Sequence, residues 1–274
     1  MHIIVRYLAV SLLVSAGLGQ LCFAQFANNI RIGKLVIESN SLPDADRERL
    51  IRLFQQKTYP QPEIGLRIGV ALRNLGYLRA AVDEPRVSFP SQGVRKGMAQ
   101  VTIKVKQGTQ YRLGEIQVQK ATIFPYTQLR NLFSLHRGEI FNEEKIEEGV
   151  ENLRKLYETK GYVNFVADPE TSIDESRRTI DLFVDLDEGK PYNFGQLQLE
   201  GIEPHAGAGH ALLNSWKMLE GKRYNSLELQ HWLLAHHVDW KVDTRISDSM
   251  RMAPDPISLV VNVKLTQWPE QVTQ

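Results

Sequence analysis

Only one of the 274 residues is cysteine, Cys22. A single thiol excludes an internal disulfide and a four-cysteine zinc site. Neither sign of charge is in excess: 33 Lys and Arg against 32 Asp and Glu leave a formal +1, which argues against a generally basic nucleic-acid binder. Gly-x-Ser-x-Gly, His-Glu-x-x-His and a phosphate loop ending in Gly-Lys-Ser/Thr are all missing. Gly207-Ala-Gly209 is half of a dinucleotide fingerprint without its third glycine and reads as loop. His205, His210, His231, His236 and His237 crowd into the last quarter, but His231 and His236 are five apart and no carboxylate completes a ligand set. Asp181 and Asp185 alternate on one face of a strand and read as solvating residues, not as an acid–base pair. The expectation is a protein that is not an enzyme, with no metal and no cofactor.

A hydrophobic run long enough to span a bilayer is also missing. Tyr7 to Leu18 is an apolar stretch of twelve, short of the roughly 20 residues a helix needs to cross. Arg6 precedes it and small residues close it at Gln20-Leu-Cys-Phe-Ala24, the three-part pattern of a secretory signal peptide with cleavage after Ala24. An uncleaved anchor and a lipid-modified Cys22 are the other readings; Leu21 is bulky for the latter. Residues 1–24 are therefore expected to be a leader, and the remainder to be exported. The sequence as a whole is 42% apolar, enough to build cores.

What the sequence does contain is a repeat. Gln107-Gly-Thr-Gln-Tyr-Arg-Leu-Gly114 is echoed by Glu188-Gly-Lys-Pro-Tyr-Asn-Phe-Gly195, with Gly108 to Gly189, Tyr111 to Tyr192 and Gly114 to Gly195 each 81 apart. Gly33 precedes Gly114 by the same interval. Each glycine opens an alternating strand: Leu35 and Ile37, Ile116 and Val118, Leu197 and Leu199. In the middle repeat a short helix begins at Phe124-Pro125. A second follows Asn142, a good N-cap, with Ile146, Val150, Leu153 and Leu156/Tyr157 as one apolar stripe that Gly161 ends. Tyr162 to Val166 reads as a strand, Asp168-Pro169 and Asp174 to Ser176 as loop, and Thr179 to Leu186 as a closing strand. The first repeat follows the same order with helices at 44–54 and 63–75 and a Gly76-Tyr77 exit. The third has an Asn225-x-x-Glu228 capping box, a helix from Leu227 to His236 and a strand through Leu259 to Leu265. Trp216 and Trp232 are expected in its core.

This pattern resembles the POTRA (polypeptide-transport-associated) domains of the BamA/TamA family of outer-membrane protein assembly factors. The residues that carry the likeness are the Gly-x-x-Tyr-x-[Leu/Phe]-Gly junctions and the Leu-x-x-x-Tyr-x-x-x-Gly-Tyr helix exit from Leu153 to Tyr162. The resemblance implies an α+β fold: a tandem array of three POTRA-like β-α-α-β-β modules, each with two helices on a three-stranded mixed sheet. The expected boundaries are 30–109, 110–190 and a divergent 191–268. It also implies a periplasmic module, associated with the outer membrane, that hands extended client chains towards a membrane barrel. Only nine residues follow Leu265, so no barrel is expected and the insertion activity is not carried over.

The resemblance puts the second strand of each module at a sheet edge, where an exposed backbone can take up another strand. The expected partner-binding edges are Leu78, Arg79, Ala80, Ala81 and Val82; Tyr162, Val163, Asn164, Phe165 and Val166; and Trp240, Val242, Thr244 and Ile246. Their partners would be unfolded outer-membrane or secreted polypeptides, with a separate outer-membrane barrel protein as a further candidate. Charge supplies one more surface. Residues 30–109 carry a net +7 against −5 for 110–190, so Arg47, Arg49, Arg52, Lys57, Arg67 and Arg73 are a candidate basic face for an acidic partner or anionic lipid. The competing reading is a structural scaffold of an envelope complex with no client strand.

Overall fold

The structure, a computed structural model, describes residues 3–6, 29–90, 92, 97–200, 207–236 and 250–265. In chain order the elements are β1 Ile3–Arg6, β2 Asn29–Glu38, α1 Asp44–Phe54, β3 Thr58–Pro60, α2 Glu63–Arg73, β4 Ala81–Val82, β5 Arg86–Ser88 and β6 Ala99–Lys106. Then come β7 Arg112–Gln119, α3 Tyr126–Arg130, α4 Glu143–Glu158, β8 Val166–Asp174 and β9 Thr179–Asp187. The last are β10 Asn193–Leu199, α5 Gly207–Trp216, α6 Ser226–Ala235, β11 Met250–Asp255 and β12 Val260–Leu265. The fold is α+β, with helices packed on mixed sheets. By backbone contacts the chain divides into two compact units. One comprises Met1–Gln117, Phe133–Glu148 and Pro169–Val184; the other Val118–Leu132, Gly149–Asp168 and Asp185–Gln274. The middle sequence repeat falls across both.

In the first unit, β2 and β6 run parallel at the centre of a five-stranded sheet ordered β3-β2-β6-β4, with β5 also on β6. The helices form where local chemistry favours them. Asp44 and Asp46 sit in the first turn of α1 and Arg52 in its last, the order that opposes the helix dipole. On α2, Ile64, Ile68 and Leu72 recur every fourth residue and all are buried. Each such side chain contributes about 1.5–3 kcal/mol, which is what pins this helix over the sheet. Leu50 and Phe54 of α1 join the same core, against Leu35, Ile37, Val101 and Ile103.

In the second unit, β12 lies between parallel β10 and antiparallel β11. Trp216 and Trp232 meet edge to face at 5.0 Å above it, and both are buried. The side chain of Asn225 accepts the Leu227 N–H at 2.9 Å, which caps α6. Gly207 and Gly209, read as loop from the sequence, begin α5 instead. Glycine's permissive backbone does not prevent a helix when Leu212 and Trp216 further along have a core to enter.

The repeated glycine has a structural cause. Between Phe194 and Leu197 the register of β10 on β12 shifts, and the register of β2 on β6 shifts between Ile32 and Lys34, at Gly33. At Gly195 the gap is filled from the last strand: Asn262 Oδ1 accepts the Gln196 N–H at 2.8 Å, and a Cβ on Gly195 would collide with that oxygen. Asp181 does the same at Gly114. Its Oδ1 accepts the Glu115 N–H at 2.7 Å and stands where a Cβ on Gly114 would have to go. Asp181 is therefore a strand lock as well as a polar surface residue. We expect Gly114→Ala and Asp181→Ala each to cost about 1 kcal/mol, and the double variant to cost less than their sum, because the colliding carboxylate is gone. Strict additivity in urea unfolding would remove this account of the glycine.

Candidate functional site

The helix exits and the Gly-x-x-Tyr segments turn out to be two halves of one joint. In the first unit, Gly76 follows α2 with φ +83°, a left-handed conformation open to glycine. Its carbonyl accepts the Tyr111 N–H at 2.9 Å, and the Tyr111 carbonyl accepts the Phe141 N–H at 3.0 Å. Tyr111 is buried, and its hydroxyl donates to Glu175 at 2.8 Å. Burial, then the Glu175 carboxylate, pushes this phenol above its ordinary pKa. Around the joint Arg73 donates to Glu143 at 2.5 Å, and the Asn142 amide donates to the Asn74 carbonyl at 3.0 Å. Asn74 both donates to the Glu144 carboxylate at 3.0 Å and accepts its N–H at 3.1 Å. Burial, and next Glu143, raises the pKa of Glu147 beside this cluster, against the opposing pull of Arg73.

The second unit has its own copy of the joint. Gly161, at φ +89°, offers its carbonyl to the Tyr192 N–H at 2.8 Å, and the Tyr192 carbonyl accepts the Tyr224 N–H at 2.9 Å. Asn164 donates to the Tyr192 hydroxyl at 2.7 Å. Arg154 is forked between Glu151, at 2.6 Å, and Glu158.

These joints absorb residues that the sequence assigned to binding edges. Tyr162 to Phe165 do not form a strand; they are the turn after α4. Phe165 is buried and stacked on Tyr157 at 4.2 Å, Tyr162 meets Tyr157 edge-on at 5.9 Å, and Val163 is half-buried. An aromatic and β-branched run resembles a strand, but here its side chains anchor the chain beneath the helix. Of the five expected residues only Val166 lies in β8, which continues through Asp168-Pro169 to Asp174. Pro169 lies just before Glu170 to Ile173, the residues that pair with β1, so its missing N–H removes no bond of that ladder.

In the first repeat Leu78, Arg79 and Ala80 precede the strand, and Arg79 is paired with Glu175 at 2.6 Å. Ala81 and Val82 form β4 on β6, and β5 joins β6 further along. Trp240, Val242, Thr244 and Ile246 lie outside the described residues; the antiparallel neighbour of β12 is β11. At the rim of the middle sheet, ordered β1-β8-β9-β7, β8 is paired antiparallel by the four residues of β1, Ile3 opposite Ile173 and Arg6 opposite Glu170.

The six basic residues divide as well. Arg47 pairs with Asp44 at 2.7 Å and also donates to the Ser39 carbonyl at 3.1 Å. Arg52 pairs with Glu48 at 3.3 Å and Arg73 with Glu143. Arg49, Lys57 and Arg67 instead rim a groove of about 380 Å³ whose apolar lining includes Leu53, Val70 and Ala71. Arg67 pairs with Glu63 at 2.7 Å and lies over the Tyr59 ring, 5.2 Å from its centroid.

Among the described residues, no three His, Cys, Asp or Glu side chains come together as a metal site, and no helix is long and apolar enough to cross a membrane. The described residues present sheet edges, two backbone joints and a basic groove. Residues 111–189 match the family model for POTRA, surface antigen variable number repeat. The chain is 28% identical over 152 residues to the outer membrane protein assembly factor BamA of Buchnera aphidicola subsp. Acyrthosiphon pisum (strain APS). That match covers 55% of this chain and 24% of the relative, so it reaches about a quarter of that protein's length. The crystal structure of Haemophilus influenzae BamA POTRA3-5 superposes with a TM-score of 0.63 at 19% identity, covering 87% of this chain and 97% of that one. Residues 111–189 are thus similar in sequence to a POTRA domain, and the fold is similar to that of the BamA POTRA domains.

Proposed function

We propose that this chain is a non-enzymatic periplasmic module of outer-membrane protein assembly that takes up unfolded outer-membrane or secreted polypeptides by strand addition. The observation that carries this reading is the rim of β8. A four-residue extended segment already lies along it in antiparallel register, so its backbone geometry admits a further strand. That segment belongs to the expected leader; cleavage after Ala24 would leave the rim free for another chain. The BamA likeness supplies the setting, and β11 is a second edge of the same kind.

Grip of this sort is weak. Four net hydrogen bonds at about 1 kcal/mol each barely offset an association cost of roughly 4–15 kcal/mol. One edge alone should bind at about millimolar or weaker, and several linked edges would gain by avidity. Such transient holding suits handover. The scaffold reading draws on the two backbone joints, which fix neighbouring segments without any client.

An NMR titration of residues 25–274 with an outer-membrane-protein strand peptide separates the two. Shifts concentrated at 166–174 and 250–255 are the expected result. A silent spectrum at millimolar peptide, with the fold intact, would leave the scaffold.

A further inference from the structure

The groove between α1 and α2 has a charge arrangement that its neighbours lack. Six arginines of the first unit's N-terminal segment are each satisfied by a carboxylate: Arg47 by Asp44, Arg52 by Glu48, Arg67 by Glu63, Arg73 by Glu143, Arg79 by Glu175 and Arg86 by Glu38. Arg49 and Lys57 are exposed and have no such partner among the described residues. Both line the groove.

Between them the surface is apolar. Leu53 is 42% exposed and Val70 38%, and Leu66 on the same helix as Val70 is 66% exposed. Within the groove Leu53, Val70 and Ala71 form an open apolar floor with cations on its rim. The far end is rigid and of opposite character, since Asn74 and Glu144 are locked together by their reciprocal hydrogen bonds.

We infer that this groove is a docking site for an acidic, amphipathic peptide segment of a partner protein, which seats one or two apolar side chains between Leu53 and Val70 and sets carboxylates against Arg49 and Lys57. Charge complementarity selects the occupant: Arg49 and Lys57 ask for carboxylates, and the apolar floor asks for an aliphatic or aromatic anchor, the helix-in-groove mode of recognition. Glu144 at the closed end disfavours a polyanionic headgroup lying along the whole cleft. This site is independent of strand addition at β8, so either can fail while the other stands.

The probe is a fluorescein-labelled 16-residue peptide with Leu and Phe at helical i, i+3, i+4 spacing and Glu elsewhere. Its binding to residues 25–274 is followed by anisotropy. A scrambled peptide of the same composition and phosphatidylglycerol vesicles serve as comparisons. The charge reversal Arg49→Glu with Lys57→Glu breaks no ion pair among the described residues and is expected to weaken peptide binding at least tenfold. Leu53→Ala with Val70→Ala should weaken it several-fold, and Lys104→Glu, on β6, should leave it unchanged. Retention of the fold in each variant is checked by circular dichroism. Equal binding by the charge-reversed chain, equal binding of the scrambled peptide, or binding of vesicles without the peptide would each overturn the proposal.

Discussion

Gly161→Ala is expected to destabilise the second unit by about 2–4 kcal/mol. Two effects act together. The residue sits at φ +89°, a left-handed conformation that costs an L side chain roughly 1–2 kcal/mol. The new Cβ would also stand 2.7 Å from the Tyr192 carbonyl oxygen and 2.8 Å from Arg223 Cδ. The arginine can swing away, but the carbonyl cannot, because it accepts the Tyr224 N–H. Relief therefore requires the joint itself to open. Amide exchange is the decisive measurement, since opening frees the Tyr192 N–H that Gly161 now holds. Protection at Tyr192 equal to that of the unaltered chain would show that the joint tolerates a methyl group. Gly76→Ala should behave alike in the first unit, where the corresponding Cβ would meet the Tyr111 carbonyl oxygen at 2.7 Å.

The second large effect is expected at Trp216. Its indole is buried, meets Phe194 edge-on at 5.6 Å and Trp232 at 5.0 Å, and donates from Nε1 to the Gly195 carbonyl at 2.9 Å. Trp216→Ala removes that packing and leaves a cavity, a change worth about 3–5 kcal/mol. Trp216→Phe keeps much of the volume but deprives Gly195 of its donor, so an intermediate loss is expected. Urea unfolding followed by circular dichroism tests the order. A loss below about 1 kcal/mol for Trp216→Ala, well short of the usual cavity cost, would mean that this indole does not hold the helices to the sheet.

Much of the architecture is legible because glycine and caps punctuate it. The helix expected at 44–54 is α1, and Asn142 and Asn225 do cap the helices that follow them. Gly76 and Gly161 can be read as helix ends from the sequence, but their role as acceptors for Tyr111 and Tyr192 cannot. Those tyrosines lie well down the chain from the glycines they meet, and proximity in space is invisible to a local pattern. The edges are less legible for a related reason. Whether a segment is a rim strand depends on which neighbour covers it, and Pro169 reads as a breaker where an edge strand accommodates it.

The basic face shows both sides of this. Pairs four apart, such as Glu48 with Arg52 and Glu63 with Arg67, are foreseeable from helix geometry. Arg73 with Glu143 is not, because the two stand 70 apart in the sequence. Only the structure can single out Arg49 and Lys57 from the six.

The strand locks also bear on how this sequence can drift. Gly114 is matched to Asp181 and Gly195 to Asn262, and both members recur at the spacing of the repeat. A side chain at either glycine would collide with its partner, while removal of the partner would strip a backbone N–H of its acceptor. Neither member can change alone without passing through a weakened intermediate. The pairs are thus frozen by mutual constraint, and traces of an ancestral duplication should persist at these four positions after the surrounding surface has diverged.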